Sequence, residues 1–137
     1  MKKLLFIFAL LMNFQTDVLS DENNYLFKQE KILPANEVFV ISTKNENNKI
    51  YVEWKIREDY YLYFDSIKIQ NKKESIGYKI LESSVYETED EYFGKTKIYK
   101  DYLKIVFNDN YDESDHAIFY QGCAEQGFCY PIQKYIL

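Results

Sequence analysis

NKIYVEWKI, residues 48–56, alternates with period two: Ile50, Val52, Trp54 and Ile56 fall on one face, and Tyr51, Glu53 and Lys55 on the other. That is the pattern of a strand with one buried and one solvated face. Working outward, EVFVIS (37–42), DSIKIQ (65–70), GYKILESSVY (77–86), DYLKIVF (101–107) and HAIFYQG (116–122) are runs of the same kind. They are separated by turn-like KNENN (44–48), REDY (57–60), QNKKES (70–75), EDEYFGK (89–95) and NDNYDESD (108–115). Helical periodicity is weak, and an aromatic content of 18% suits pleated, half-buried surfaces. Some seven or eight strands at this spacing predict an all-β domain, an immunoglobulin-like antiparallel β-sandwich.

At 137 residues the chain has room for one core. Its start, MKKLLFIFALLMNF, places two lysines before an apolar run from Leu4 to Met12, far short of the roughly 20 residues that span a bilayer. Residues 1–20 fit a cleavable signal peptide ending at Val18-Leu19-Ser20. The mature domain is then 21–137, with a polar lead-in from Asp21 to about Ile32. No cysteine lies near the cleavage site to carry a lipid anchor. Export sets an oxidising compartment, where paired cysteines form disulfides, and a bacterial periplasm is the expected location.

Removing residues 1–20 takes away Lys2, Lys3 and Asp17, leaving 15 basic and 21 acidic side chains and a net charge of −6. An acidic domain of this kind argues against nucleic acid or an anionic membrane as partner. Both methionines lie in the leader, so a methionine-lined copper site is excluded. No metal site is expected: one histidine, His116, and two cysteines fall short of a four-ligand zinc site unless carboxylates join, and His116 is expected at a strand edge. No cofactor is expected either: with four glycines, none of them clustered, Gly-rich cofactor cradles are excluded, and GxSxG, HExxH and a phosphate-binding glycine loop are all absent.

The two cysteines lie in YQGCAEQGFCYP, residues 120–131. On a straight strand Cys123 and Cys129 would stand roughly 20 Å apart at 3.3 Å per residue. A disulfide therefore needs the chain to reverse within AEQGF, where Gly127 tolerates positive φ. As a staple so short a loop is worth only roughly 2 kcal/mol, yet most paired cysteines of exported proteins are structural, and the spacing is not CxxC. Spacing and energetics leave staple and redox pair both open. The acidic run Glu87, Glu89, Asp90, Glu91 is, by itself, a solvated turn.

YQGCAEQGFCYP, with EDEYFGKTKIYKDYL (89–103), WKIREDYYLYFDSIKI (54–69) and ILPANEVFV (32–40) as an opening strand, resembles in content and order the amino-terminal periplasmic domain of the DsbD thiol-disulfide interchange proteins. The resemblance covers essentially the whole mature chain. It implies an immunoglobulin-like domain whose cysteine pair is redox-active. Cys129 matches the cysteine that forms mixed disulfides with partners, and Cys123 the resolving one. Asp90, Glu91, Tyr92, Phe93 and Gly94 match a cap loop that shields the cysteines, with Tyr92 where the family commonly has phenylalanine. Tyr61 and Tyr63 match tyrosines that line the site.

The implied partners are a thioredoxin-like or transmembrane electron donor and periplasmic acceptors, such as isomerases and cytochrome c maturation thioredoxins. A monomer is expected. Family members continue into a transmembrane carrier and a thioredoxin-like domain, whereas this sequence stops at Leu137, so a separate donor protein, or a truncated copy, is the expectation. Carboxylates at Asp90, Glu91 and Glu125 are expected to raise the thiol pKa values. Two other readings remain: a non-enzymatic β-sandwich adaptor with a purely structural disulfide, and a dithiol site for Cu(I).

Overall fold

The structure, a computed structural model, describes residues 31–72, 74–91, 93–109 and 115–137, with the backbone but not the side chain of Asp90. The expected signal peptide, 1–20, most of the expected polar lead-in, Tyr92 and most of the 108–115 turn lie outside the described residues. A single helical turn, α1 (Ala35–Val38), precedes ten strands: β1 (Phe39–Glu46), β2 (Lys49–Ile56), β3 (Tyr60–Tyr63), β4 (Lys68–Asn71), β5 (Glu74–Ile76), β6 (Lys79–Asp90), β7 (Gly94–Asn108), β8 (His116–Tyr120), β9 (Gly122–Ala124) and β10 (Gln133–Ile136). One sheet has the order β1-β2-β7-β3-β9, with β6 also pairing β7, and the other the order β10-β8-β4-β5. Every pairing is antiparallel. The fold is the immunoglobulin-like β-sandwich expected from the alternating runs.

β2 shows why. Ile50, Val52, Trp54 and Ile56 are buried while Lys49 and Lys55 are exposed. Those side chains meet Leu103, Ile105 and Phe107 of β7 and, from the second sheet, Ile69, Ile118 and Tyr120. Trp54 contacts Tyr120 edge-to-face, ring centroids 5.9 Å apart. Each such aliphatic burial contributes about 1.5–3 kcal/mol, so the interleaved strands, not any single loop, hold the sandwich closed.

Four expectations need correction. The opening run ILPANEVFV is not one strand: after Pro34 it makes the turn α1, and β1 starts only at Phe39. The EDEYFGK turn shrinks to residues 91–93, because β6 and β7 continue pairing to Asp90↔Gly94. Charged side chains alternate across this extension, Glu87 opposite Lys97 and Glu89 opposite Lys95, so cross-strand charge pairs support a ladder that carries no apolar alternation. HAIFYQG divides between two strands, and QKYI forms an unexpected β10. His116 is not at a sheet edge: it opens β8, between β4 and β10, and is fully buried, with Nε2 3.8 Å from Asp109 Oδ1.

Two features position the functional end of the molecule. Within β7, Asp101 adopts φ 63° and the β6 register slips between Ser83 and Ser84, a bulge that bends the long hairpin. Beyond it, β7 exchanges β2 for β3 as its neighbour. The second feature is a corner. The chain leaves one sheet after β3 and enters the other as β4, and beside it β8 crosses back to become β9. Ser66 and Gln121, at the two crossings, are stitched together: Gln121 N donates to Ser66 Oγ at 3.0 Å, and Ser66 Oγ donates to Gln121 O at 3.2 Å.

Candidate functional site

The cysteines sit just past this corner. β9 pairs β3 with Cys123 opposite Tyr61. The chain then reverses through Glu125–Phe128, with Gly127 at φ 96° and its N–H donating to Ala124 O. Ala124 N donates to Phe128 O at 2.7 Å and Tyr130 N to Gly122 O at 3.0 Å. Cys123 and Cys129 are therefore the non-hydrogen-bonded pair between two ladder bonds, the position where facing side chains approach most closely. Their sulfurs form a disulfide, with Cα atoms 4.0 Å apart.

Period-two alternation determines what surrounds it. Tyr60, Leu62, Tyr99 and Ala124 point into the main core. Tyr61, Tyr63, Ile98, Cys123 and Cys129 form a second, smaller cluster on the opposite face. Cys123 is fully buried, whereas Cys129 is partly exposed. Cys123 is thus the hidden member of the bridge, and Cys129 the member nearer solvent. Gly122 makes the close approach of β9 feasible: a Cβ there would collide with the Tyr61 carbonyl oxygen and the Phe39 ring.

Tyr63 links the site to the hairpin. Its Oη lies 3.3 Å from Cys123 Sγ and 3.9 Å from Cys129 Sγ. Neither sulfur of a disulfide carries a proton, so the hydroxyl is the donor. Phe93, at the hairpin tip, packs on the Tyr63 ring at 4.7 Å with planes inclined by 69°, and Tyr61 meets the same ring edge-on at 5.4 Å. The structure therefore brings together Cys123, Cys129, Tyr61, Tyr63 and Phe93. Gly94 opens β7 beside them, Glu91 is exposed at the turn, and Asp90 closes β6. The expected capping ring, Tyr92, lies outside the described residues.

One of the three carboxylates expected near the sulfurs has a partner. Glu125 is ion-paired with Lys100, whose ammonium is held above its ordinary range by that hydrogen bond. The Lys100 ammonium thus opposes the Glu125 charge. Among the described residues no three His, Cys, Asp or Glu side chains converge in a metal-holding group. Sequence reasoning missed Ile98, which packs on Cys123 and faces Tyr63 across the ladder, and the Ser66–Gln121 stitch. Only the pairing of β3 with β7 and the corner reveal these.

Comparison with known proteins agrees with this geometry. A 45-residue segment, 31% of the chain, is 47% identical to the thiol:disulfide interchange protein DsbD of Cronobacter sakazakii and 44% identical to that of Escherichia coli. The chain spans only 8% of the length of those relatives. Among solved structures, the reduced DsbD N-terminal domain of Neisseria meningitidis superposes with a TM-score of 0.65 at 25% identity, covering 77% of this chain and 89% of that one. The same bacterium's complex of the DsbD N-terminal and PilB N-terminal domains gives 0.54 at 25% identity, covering 77% and 87%. The family model described as thiol:disulfide interchange protein DsbD, N-terminal, matches residues 29–136. A sandwich whose cysteine hairpin is buttressed by tyrosines and a hairpin tip, matched over nearly its whole length, belongs to the family of DsbD N-terminal domains.

Proposed function

We propose that this chain is a periplasmic thiol-disulfide exchange module, reached through the signal peptide at residues 1–20. It takes electrons from a thioredoxin-like or transmembrane donor and passes them to disulfides of periplasmic partners, cytochrome c maturation proteins among them. The observation that carries the reading is the asymmetry of the pair, with Cys129 partly exposed and Cys123 fully buried beneath Tyr63. Of the two, Cys129 is the one placed to meet another protein.

The chemistry is two displacements in sequence. In the reduced chain the Cys129 thiolate attacks one sulfur of a partner disulfide, forming a mixed disulfide and releasing the partner's other sulfur as thiolate. The Cys123 thiolate then attacks Cys129 Sγ, restoring the internal disulfide and releasing the partner's second thiolate. Two electrons pass to the partner, and the thiol protons follow through solvent. Reloading is the reverse, with a donor dithiol attacking Cys129. Tyr63, within reach of both sulfurs, stabilises the thiolates by donating its hydroxyl proton to a hydrogen bond. The ring of Phe93 on Tyr63 limits access until a partner displaces the hairpin tip, protecting the dithiol from nonspecific oxidation.

The Cys123→Ala variant tests this. Lacking the resolving thiol, it should accumulate Cys129 mixed disulfides with partner proteins in periplasmic extracts supplied with a donor, while Cys129→Ala should trap none. Absence of adducts with both variants would reject exchange.

A further inference from the structure

A groove of about 570 Å³ opens beside the disulfide, and Tyr63 is its wall on that side. Phe93 from the hairpin tip, Phe119 from β8 and Ile132 from the segment before β10 supply apolar surface. Phe93 is 58% and Ile132 66% exposed, so this apolar rim is open to solvent at the edge of the site. Lys68 and Lys95 line the same groove. Lys134 adds a third ammonium, with Nζ 5.8 Å from the Phe119 ring centroid. Register explains the arrangement: Lys68 and Lys134 both stand opposite Phe119, one on each side.

The lysines are notable in a chain of net charge −5. All three are exposed, and none forms an ion pair with another described residue. Asp65 is the carboxylate of the lining, and Glu89 stands opposite Lys95 in the ladder, so three ammonium groups face two carboxylates and the surroundings of Phe119 keep an excess of positive charge. An apolar floor flanked by an excess of ammonium groups is complementary to a segment carrying apolar and acidic side chains together.

We propose that this groove is the docking surface for an acidic, partly apolar segment of the protein that exchanges with Cys129. The inference rests on the exchange reading and deepens it: the groove sets which proteins react, and the sulfur sets what happens. Because Tyr63 and Phe93 belong both to the groove and to the disulfide's surroundings, a segment seated on Phe119 and Ile132 also bears on the hairpin tip that shields the bridge.

The test uses two matched peptides, each with one cysteine activated as a disulfide to 2-nitro-5-thiobenzoate. One carries glutamates and leucines around the cysteine, and the other carries lysines in place of the glutamates. In the pre-reduced protein the Cys129 thiolate displaces the coloured thiolate, and Cys123 then displaces the peptide thiol and closes the internal disulfide, so this single turnover is followed by absorbance. Rates are divided by the rate with neutral methyl methanethiosulfonate. The acidic peptide should react about tenfold faster at low salt, with the preference shrinking as salt is raised. Lys68→Glu combined with Lys134→Glu should abolish the preference, and Lys49→Glu, outside the groove, should keep it. Equal rates for the two peptides, or a preference untouched by the double substitution, would overturn the proposal.

A second measurement separates this result from failure of exchange itself. Binding of the acidic peptide with serine in place of cysteine should shift the NMR resonances of Phe119 and Ile132. Shifts without thiol release would retain the groove and reject the exchange reading. Thiol release with neither shifts nor peptide preference would do the opposite.

Discussion

Reducing the Cys123–Cys129 bond should weaken the domain only modestly. The bond joins residues six apart, and the chain-entropy relation for a closed loop of about seven residues gives about 2.4 kcal/mol at 25 °C. The folded hairpin has other support that reduction leaves in place: the Ala124–Phe128 and Gly122–Tyr130 hydrogen bonds on either side of the bridge, and the pairing of β9 with β3. Urea titrations of the oxidised domain, and of the domain held reduced by a phosphine, measure the difference. With a slope of about 1.5 kcal/mol per molar urea, the midpoint should fall by about 1.6 M. The same free energy corresponds to about 50 mV between the reduction potentials of the folded and unfolded chain. Folding thus biases the disulfide without locking it, as an exchange module requires. Unfolding on reduction, or a loss of about 5 kcal/mol, the upper end of what structural disulfides contribute, would make the bond a staple and refute the reasoning.

Tyr63→Phe removes a donor to both sulfurs; since hydrogen bonds to charged groups contribute about 1.5–3 kcal/mol, the reactive thiol pKa should rise by about one to two units. Alkylation rate against pH reads this directly, and an unchanged profile would dismiss Tyr63 as a thiolate donor. Phe93→Ala should cost about 0.5–1.5 kcal/mol or less from the lost ring pair, and should speed alkylation of Cys129 by a neutral reagent. An unaltered rate would mean that the hairpin tip does not shield the sulfur. Gly122→Ala drives a methyl group into the Tyr61 carbonyl and the Phe39 ring, so urea unfolding should show a loss of about 1–3 kcal/mol. Burial and the neighbouring Tyr60 push the Tyr130 phenol up to about 12. Its contribution to stability is complete below the unfolded value near 10 and is lost as pH rises through about 12, so circular dichroism should show alkaline destabilisation setting in across that window.

The sandwich was legible because alternation is a local property. In β2 the face that Ile50, Val52, Trp54 and Ile56 share is fixed by period two, and the structure buries all four. Where the local signal was mixed, tertiary pairing prevailed. The stretch around Thr88 and Thr96 is polar and charged, yet it continues the β6–β7 ladder because the two strands already run side by side. His116, placed at an edge by its isolation in sequence, is interior because β10 adds to the far side of β8.

The sequence by itself determined the chemistry available: two cysteines six apart, a glycine to turn the chain between them, tyrosines on one face of a strand, and an aromatic hairpin tip. The tertiary structure supplied the difference in burial between the two cysteines. Cys123 lies within the ladder against Tyr61 and beneath Tyr63, and Cys129 lies at its rim. It also decided that Glu125 is answered by Lys100, and that Lys68, Phe119 and Lys134, far apart along the chain, stand side by side across the second sheet. The physical reason is the same in each case. Composition and spacing are read along one strand, whereas access, charge balance and neighbouring surface arise from register between strands, which no single stretch encodes.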